Sequence, residues 1–384
     1  MIFVGMDVHV RNSFLHATDS AGRVLCRGRR GNTPDELSAF WSAVLKRNAG
    51  ELEPARVVLE ATTNSRPIRQ MMMHAAESLG LAVTVDVVDP RKMRVIAESV
   101  AKTDALDARV LNELSRANLR LPSCYMPDDE EFALREHLRA RTDLVRMRTM
   151  LKNRVHAVLH RRGILVPQGG LFTKDGRRFL EQIELDQAGR TIVTHLIETI
   201  DQFTQMTDES NGALKALQRR PRWARPAAIL QTMPGIGLIT ALTILAELGD
   251  LKRFKSRAAV ANYAGLVPIV RSSNTKHYSG GITHRGPQHL RGVLAEAAWV
   301  AIRRVPVYQA LFERVGGRRG KPVAIVAVAR RMLEDGIRML WKQEPFRFVP
   351  AKTPSVEAGD SRGDANVAAS QPHGERSVVS SVAG

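Results

Sequence analysis

The chain has 384 residues and a formal net charge of +18 at pH 7, a length with room for two or three domains and a charge that favours a polyanionic partner. No apolar run reaches the roughly 18 residues of a membrane span, and Met1 leads straight into a strand-like segment with no basic n-region, so no signal peptide is expected and a cytoplasmic protein is the default. Cys26 and Cys124 are too few for a disulfide framework or a structural zinc site, and 5% aromatic residues argues against a platform on which bases stack.

Residues 2–8 read as a buried strand, and 13–18 as an alternating one. Asp19-Ser20-Ala21-Gly22 supplies a turn before a third strand at 24–28. Thr33-Pro34-Asp35-Glu36 starts a helix, with Pro at its first position and Leu37, Phe40, Trp41, Val44 and Leu45 at helical spacing. A strand at 57–60, a helix over about 65–80 and a strand at 83–88 follow, and Asp104 and Asp107 open a further helix through Leu111 and Leu114. Three strands, a helix, a strand, a helix and a strand suit a ribonuclease-H-like mixed sheet with covering helices.

From about Asp128 to His160 the pattern is one long helix, in which Arg139, Arg141, Arg146, Arg148, Lys152 and Arg154 crowd the polar face. Asp143 is the only acid between Arg139 and Arg162, so little pairing along the helix balances the charge, and a nucleic-acid or oligomerisation stalk is expected. A solvated helix face is the plainer reading. Gly163 ends this helix; another over 185–218 is expected to run antiparallel to it. Residues 221–226 read as a linker, 238–248 as an apolar helix, and 351–384 as a disordered tail rich in Ser, Gly, Ala and Pro. The resulting division is 1–127, 128–220, 227–345 and 351–384.

Three constellations carry chemistry. Asp7, Glu60, Asp104 and Asp107 are two strand-borne carboxylates and a helical pair three residues apart, a set suited to one or two Mg²⁺ or Mn²⁺ ions. A carboxylate in an apolar strand is costly unless paired or metal-bound, although Asp104 and Asp107 also read as a helix cap and a first-turn acid. Pro234-Gly235-Ile236-Gly237 ahead of an apolar helix resembles a helix-hairpin-helix turn, whose backbone N–H groups hold a phosphate without reading sequence. Gly265 to Arg291 places Ser272 and Ser273 amid Arg271, Lys276, His284, Arg285 and Arg291, where a serine attacking phosphorus would find cations; polar turn serines before a helix near Pro287 are the alternative.

Together, in this order, Gly5-Met6-Asp7-Val8-His9, Leu59-Glu60-Ala61-Thr62, Lys102 to Ala108, the Pro234–Gly237 turn and Gly265 to Gly286 resemble the insertion-sequence one-ten family of bacterial DEDD transposases, across roughly residues 2–345. The resemblance implies a RuvC-like ribonuclease-H domain whose carboxylates, here Asp7, Glu60, Asp104 and Asp107, bind Mg²⁺. It implies a helical coiled-coil middle and a mainly helical carboxy-terminal domain whose serine attacks donor and target DNA and becomes transiently linked to it. The family's spacing puts that serine at Ser273, where Asn274 replaces the usual glycine, with Ser272 in reserve. A noncoding bridge RNA and a homo-tetramer with a composite site complete the implied machinery. The alternative function is a RuvC-like Holliday-junction hydrolase with no covalent serine intermediate.

Overall fold

The apolar run at the start of the chain alternates its buried contacts between two helical layers, and this places everything that follows. The computed structural model describes residues 1–89, 103–117, 119, 121–273, 276–282 and 286–347, with the backbone alone at 270–273, 276–280 and 282. Lys102, Asn274, Thr283, His284, Arg285 and the 351–384 tail lie outside the described residues. The chain divides into two compact units, Met1–Asn211 and Gly212 onward. No helix among the described residues is long and apolar enough to cross a membrane.

In the first unit, β1 (Ile2–Val8), β2 (Asn12–Thr18), β3 (Val24–Gly31), β4 (Ala55–Glu60) and β5 (Val83–Val88) form a five-stranded mixed sheet in the order β3-β2-β1-β4-β5. The pairs β1–β2 and β2–β3 are antiparallel; β1–β4 and β4–β5 are parallel. The parallel pairs need crossovers, which α1 (Pro34–Arg47) and α2 (Ser65–Glu77) provide. Ile2, Val4, Met6 and Val8 pack on Leu37, Phe40, Trp41, Ile68 and Met72 in one core. The indole N–H of Trp41 donates to the Met72 carbonyl at 3.2 Å, so the largest buried ring leaves no polar atom unpaired.

The other face of β1 receives α3 (Asp104–Arg116). Gly5 makes this possible: a Cβ there would lie 1.9 Å from the Ala108 carbonyl oxygen and 2.4 Å from the Asn112 nitrogen. Asn112, buried in the seam, donates to the carbonyls of Phe3 at 2.7 Å and His16 at 3.1 Å and accepts from the Thr18 hydroxyl at 3.1 Å. Val58, Val88, Leu111 and Leu121 close the apolar part of this layer. We expect Gly5→Ala to cost about 3 kcal/mol, because the new methyl meets backbone and not a flexible side chain; chemical denaturation should show a lowered midpoint, and an unchanged one would refute this close approach.

The stalk follows. α4 (Asp129–His160) is capped by Asp128, whose carboxylate accepts from the Glu131 N–H at 2.9 Å. It pairs antiparallel with α6 (Gln187–Gln218), as expected: His137 meets Ser210 at 3.0 Å near one end and Arg162 meets Asp186 at 2.6 Å near the other. Val155, Val158 and Leu159 pack there with Val193, Ile200 and the short α5 (Lys174–Gln182), which the sequence pattern did not announce.

In the second unit, the expected linker is instead the start of α7 (Pro221–Gln231). Pro221 occupies the first helical position, where its missing N–H costs nothing; Pro226 gives up one helical bond, offset by burial of Trp223, Ala227 and Leu230 on the same helix. α8 (Leu238–Leu248), α9 (Arg257–Tyr263), α10 (Gln288–Ala301), α11 (Pro306–Arg319) and α12 (Lys321–Lys342) complete a mostly helical body. The antiparallel hairpin β6 (Pro268–Ser273) and β7 (Lys276–Ile282) interrupts it between α9 and α10.

Candidate metal centre and nucleic-acid contacts

Pairing of Met6 with Leu59 across the parallel β1–β4 ladder puts Asp7 and Glu60 at the same end of adjacent strands. The antiparallel pairs Asp7–Phe14 and Phe14–Arg29 carry the same row across to β3. The first turn of α3 comes down on this end of the sheet. Thr103 caps that helix, its hydroxyl accepting from the Leu106 N–H at 3.2 Å, so neither Asp104 nor Asp107 is the capping residue. Both carboxylates stand instead where the positive end of the helix favours anions.

Asp7 and Asp104 meet around His9. The imidazole Nε2 lies 3.3 Å from Asp7 Oδ2 and 3.3 Å from Asp104 Oδ1, and a ligand atom from each of the three residues falls within 4.8 Å of the others. Arg29 donates from Nη2 to Asp104 Oδ2 at 2.6 Å. Asp107, one turn further along α3, adds its charge without joining that group, and half-buried Glu60 stands at its strand end outside it. Burial raises the pKa of the Asp7 carboxyl above its ordinary value; the negative charges of Asp104 and Asp107 add to this, and His9 opposes them. A divalent cation would relieve this repulsion. Oxygen donors beside a half-open surface fit Mg²⁺ or Mn²⁺, which keep waters and share their shell between carboxylates and substrate phosphates.

Neither His9 nor Arg29 was singled out from the sequence as a site residue. The position of His9 is set by main-chain contacts: its carbonyl accepts from Asn32 Nδ2 at 2.7 Å and from Asn64 Nδ2 at 2.9 Å. Those amides are themselves oriented, since the Ser13 hydroxyl donates to Asn32 Oδ1 at 2.7 Å and the Thr62 hydroxyl to Asn64 Oδ1 at 2.8 Å. The one available sequence signal was the spacing of two residues after Asp7 at the end of a strand.

On the stalk, the basic residues of α4 divide by partner. Arg139 reaches Glu136 at 3.7 Å, Arg146 reaches Asp143 at 3.4 Å and Arg141 donates to Asn211 at 2.5 Å. Among the described residues no ion pair neutralises Arg148, Lys152 or Arg154. Lys152 lies 4.9 Å over the Phe172 ring, and its pKa is lowered by burial first and then by Arg148 and Arg177. A strip of like charge this crowded suits phosphates better than it suits itself.

In the second unit, Gly235 (φ +91°) packs tightly: a Cβ would lie 2.3 Å from the Ala297 carbonyl oxygen on α10. Gly237 behaves differently. It begins α8 with no side-chain cap, and a Cβ there would meet nothing within 4 Å. An open, uncapped helix start is the part of this turn that suits an anion. In the hairpin, Ser272 pairs with His277, Ser273 with Lys276 and Arg271 with Tyr278. Arg291 is engaged by the main chain: its Nη1 donates to the Gly286 carbonyl at 3.0 Å and the Ala264 carbonyl at 3.3 Å, and burial lowers its pKa. It thus ties Gly286 and the carboxy-terminal end of α9 to α10.

Comparison with known proteins matches both units. Residues 4–162 fit a DEDD transposase family model, described as Transposase, and residues 227–313 fit the model described as Transposase IS116/IS110/IS902 family. The transposase for insertion sequence element IS1111A of Coxiella burnetii is 26% identical over 70% of this chain and 74% of its own length. The transposase for IS1328 of Yersinia enterocolitica is 28% identical over 86% of this chain and 93% of its own. A pilin gene-inverting protein of Moraxella bovis is 31% identical over 33% of this chain and 40% of its own.

Proposed function

We propose that the chain is a transposase of the IS116/IS110/IS902 family, an enzyme that cuts and recombines insertion-sequence DNA, and that it works with two cooperating groups: the Asp7–Glu60–Asp104–Asp107 carboxylates and the hydroxyl of Ser273. The observation that carries the reading is the meeting of Asp7 with Asp104 at the sheet end, held by His9 and crowded by Asp107. Asp7 and Asp104 would hold the ion, with Glu60 and Asp107 completing its surroundings. A bound Mg²⁺ or Mn²⁺ would withdraw charge from the phosphate and favour the oxygen nucleophile.

The chain's own groups do the rest. As the Ser273 Oγ–phosphorus bond forms, the phosphorus–oxygen bond to the leaving strand breaks; the serine proton is given up and the departing sugar oxygen takes one. Attack by a different sugar hydroxyl on the phosphoserine then reverses the step and rejoins the DNA to a new partner, so no bond energy is lost to hydrolysis. The RuvC-like character of the sheet domain, the coiled-coil role of the stalk and the helix-hairpin-helix role of the Gly235–Gly237 turn belong to the same reading.

Choice of site falls to a bridge RNA whose loops pair with donor and target DNA, and the protein acts as a tetramer. The charge of +18 supports this, because a protein that delegates sequence to base pairing needs backbone contacts more than base-edge contacts. Reconstitution with the noncoding RNA flanking the gene tests it: rewriting the target-pairing loop should move insertion to the newly matched sequence. Insertion that stays in place would overturn the guided reading.

Metal binding is a separate expectation. Asp104→Asn should weaken Mn²⁺ binding by about tenfold, the loss of one charged oxygen ligand, in titration calorimetry on the purified chain. An unchanged isotherm would remove Asp104 from the ligand set.

A further inference from the structure

Apart from every residue used so far, the second unit holds a cavity of about 190 Å³ lined by Arg257, Arg331, Arg338 and Arg347 around Tyr308, Phe346 and Asp335. Four guanidiniums face one carboxylate there. Asp335 is already engaged: it is buried, accepts from Arg331 Nε at 2.9 Å and accepts from the Tyr308 hydroxyl at 3.2 Å. It therefore fixes the floor and leaves Arg257, Arg338 and Arg347 with no ion pair among the described residues. Tyr308 is fully buried and its phenol is held far above its ordinary range, chiefly by burial and then by Asp335, so it stays protonated. The Phe346 ring lies 6.2 Å from that of Tyr308 and extends the apolar floor. Arg347 is placed by its neighbour, whose N–H donates to the Thr232 hydroxyl at 2.8 Å.

We propose that this cavity is a phosphodiester-binding site, taking one backbone phosphate on the arginine rim with its sugar against the half-buried Phe346 ring, which Tyr308 backs. Size decides the class of ligand. Pockets for free small molecules run to about 300–1,000 Å³, so this one accepts a piece of a polymer and not a whole nucleotide cofactor. Chemistry decides the group: planar guanidiniums suit phosphate oxygens, and an apolar ring floor suits a sugar better than it suits a free, fully hydrated anion. The inference rests on the assignment of the chain as a nucleic-acid enzyme, and it is independent of the metal and of Ser273.

Binding of the full-length chain to a labelled DNA duplex and to a labelled RNA hairpin, across a series of salt concentrations, tests it apart from cleavage. Arg257→Ala/Arg338→Ala should weaken binding by about tenfold and flatten the log–log salt dependence by about one unit, the loss of one phosphate contact. The affected probe identifies the strand that supplies the phosphate. Arg318→Ala/Arg319→Ala removes the same charge from the last turn of α11, outside the cavity, and should have a clearly smaller effect. Equal losses in the two double variants would overturn the proposal in favour of diffuse attraction. So would unchanged binding to both probes, including the case where inorganic phosphate alone stabilises the wild-type chain but not the variant.

Discussion

Asp7→Asn should reduce strand cleavage by about three orders of magnitude, or ~4 kcal/mol of transition-state stabilisation, while the chain folds normally. Both halves follow from the position of Asp7. Its carboxylate joins Asp104 and His9 at the end of a central strand, so removing its charge removes the group on which the others converge. Its pKa is raised in the folded chain, by burial first and by the charges of Asp104 and Asp107 second. A raised carboxyl binds more protons folded than unfolded, so its contribution to stability falls as pH climbs from the ordinary carboxylate value through the raised one. Above that window the full cost of the buried charge is present. The neutral amide of the Asp7→Asn variant carries no such cost, so at neutral pH without metal the variant should melt at or above the wild-type temperature, and the difference should shrink as the pH falls below the window. A variant that loses cleavage because it melts far lower would show Asp7 to be structural.

Ser273→Ala should abolish strand exchange while leaving DNA and RNA binding unchanged, because a nucleophile contributes to the covalent step and not to the ground-state complex. Ser272→Ala is the matched control. The two serines occupy successive positions of β6, Ser272 paired with His277 and Ser273 with Lys276 on β7, so they differ in register and one substitution should dominate. Loss confined to Ser272→Ala would move the nucleophile by one residue; efficient cutting by Ser272→Ala/Ser273→Ala would replace the recombinase with a hydrolase.

The sheet was legible wherever a local rule and a tertiary need coincide. β1 is an apolar run with a single acid, and the acid lies where the run ends, so strand and site were read together. Thr33 and Pro34 announced α1 because capping chemistry is local. The pair Asp104–Asp107 was read as a site with a cap as its rival; the structure gives the cap to Thr103. His9 and Arg29 were not legible, because what places them comes from residues distant in sequence: Asn32 and Asn64 hold the His9 carbonyl, and strand register brings Arg29 into the row of Asp7. The start of α7 was missed because two prolines within six residues read as a linker, whereas one sits at the first helical position and burial offsets the other. The arginine-rimmed cavity escaped for a similar reason. Its arginines come from α9, α12 and the segment after α12, and each alone is an ordinary surface charge.

If the carboxylate cluster and a hydroxyl of the distant hairpin act on one phosphodiester, a covalent adduct must depend on both. The most direct test is to quench the reconstituted reaction in denaturant and map any protein–DNA adduct by mass spectrometry, with and without Mg²⁺ and in the Asp7→Asn background. The expected result is a phosphodiester link at Ser273 that forms only with the ion and only when Asp7 is intact. Cut DNA bearing no protein, or an adduct that accumulates equally in Asp7→Asn, would contradict it.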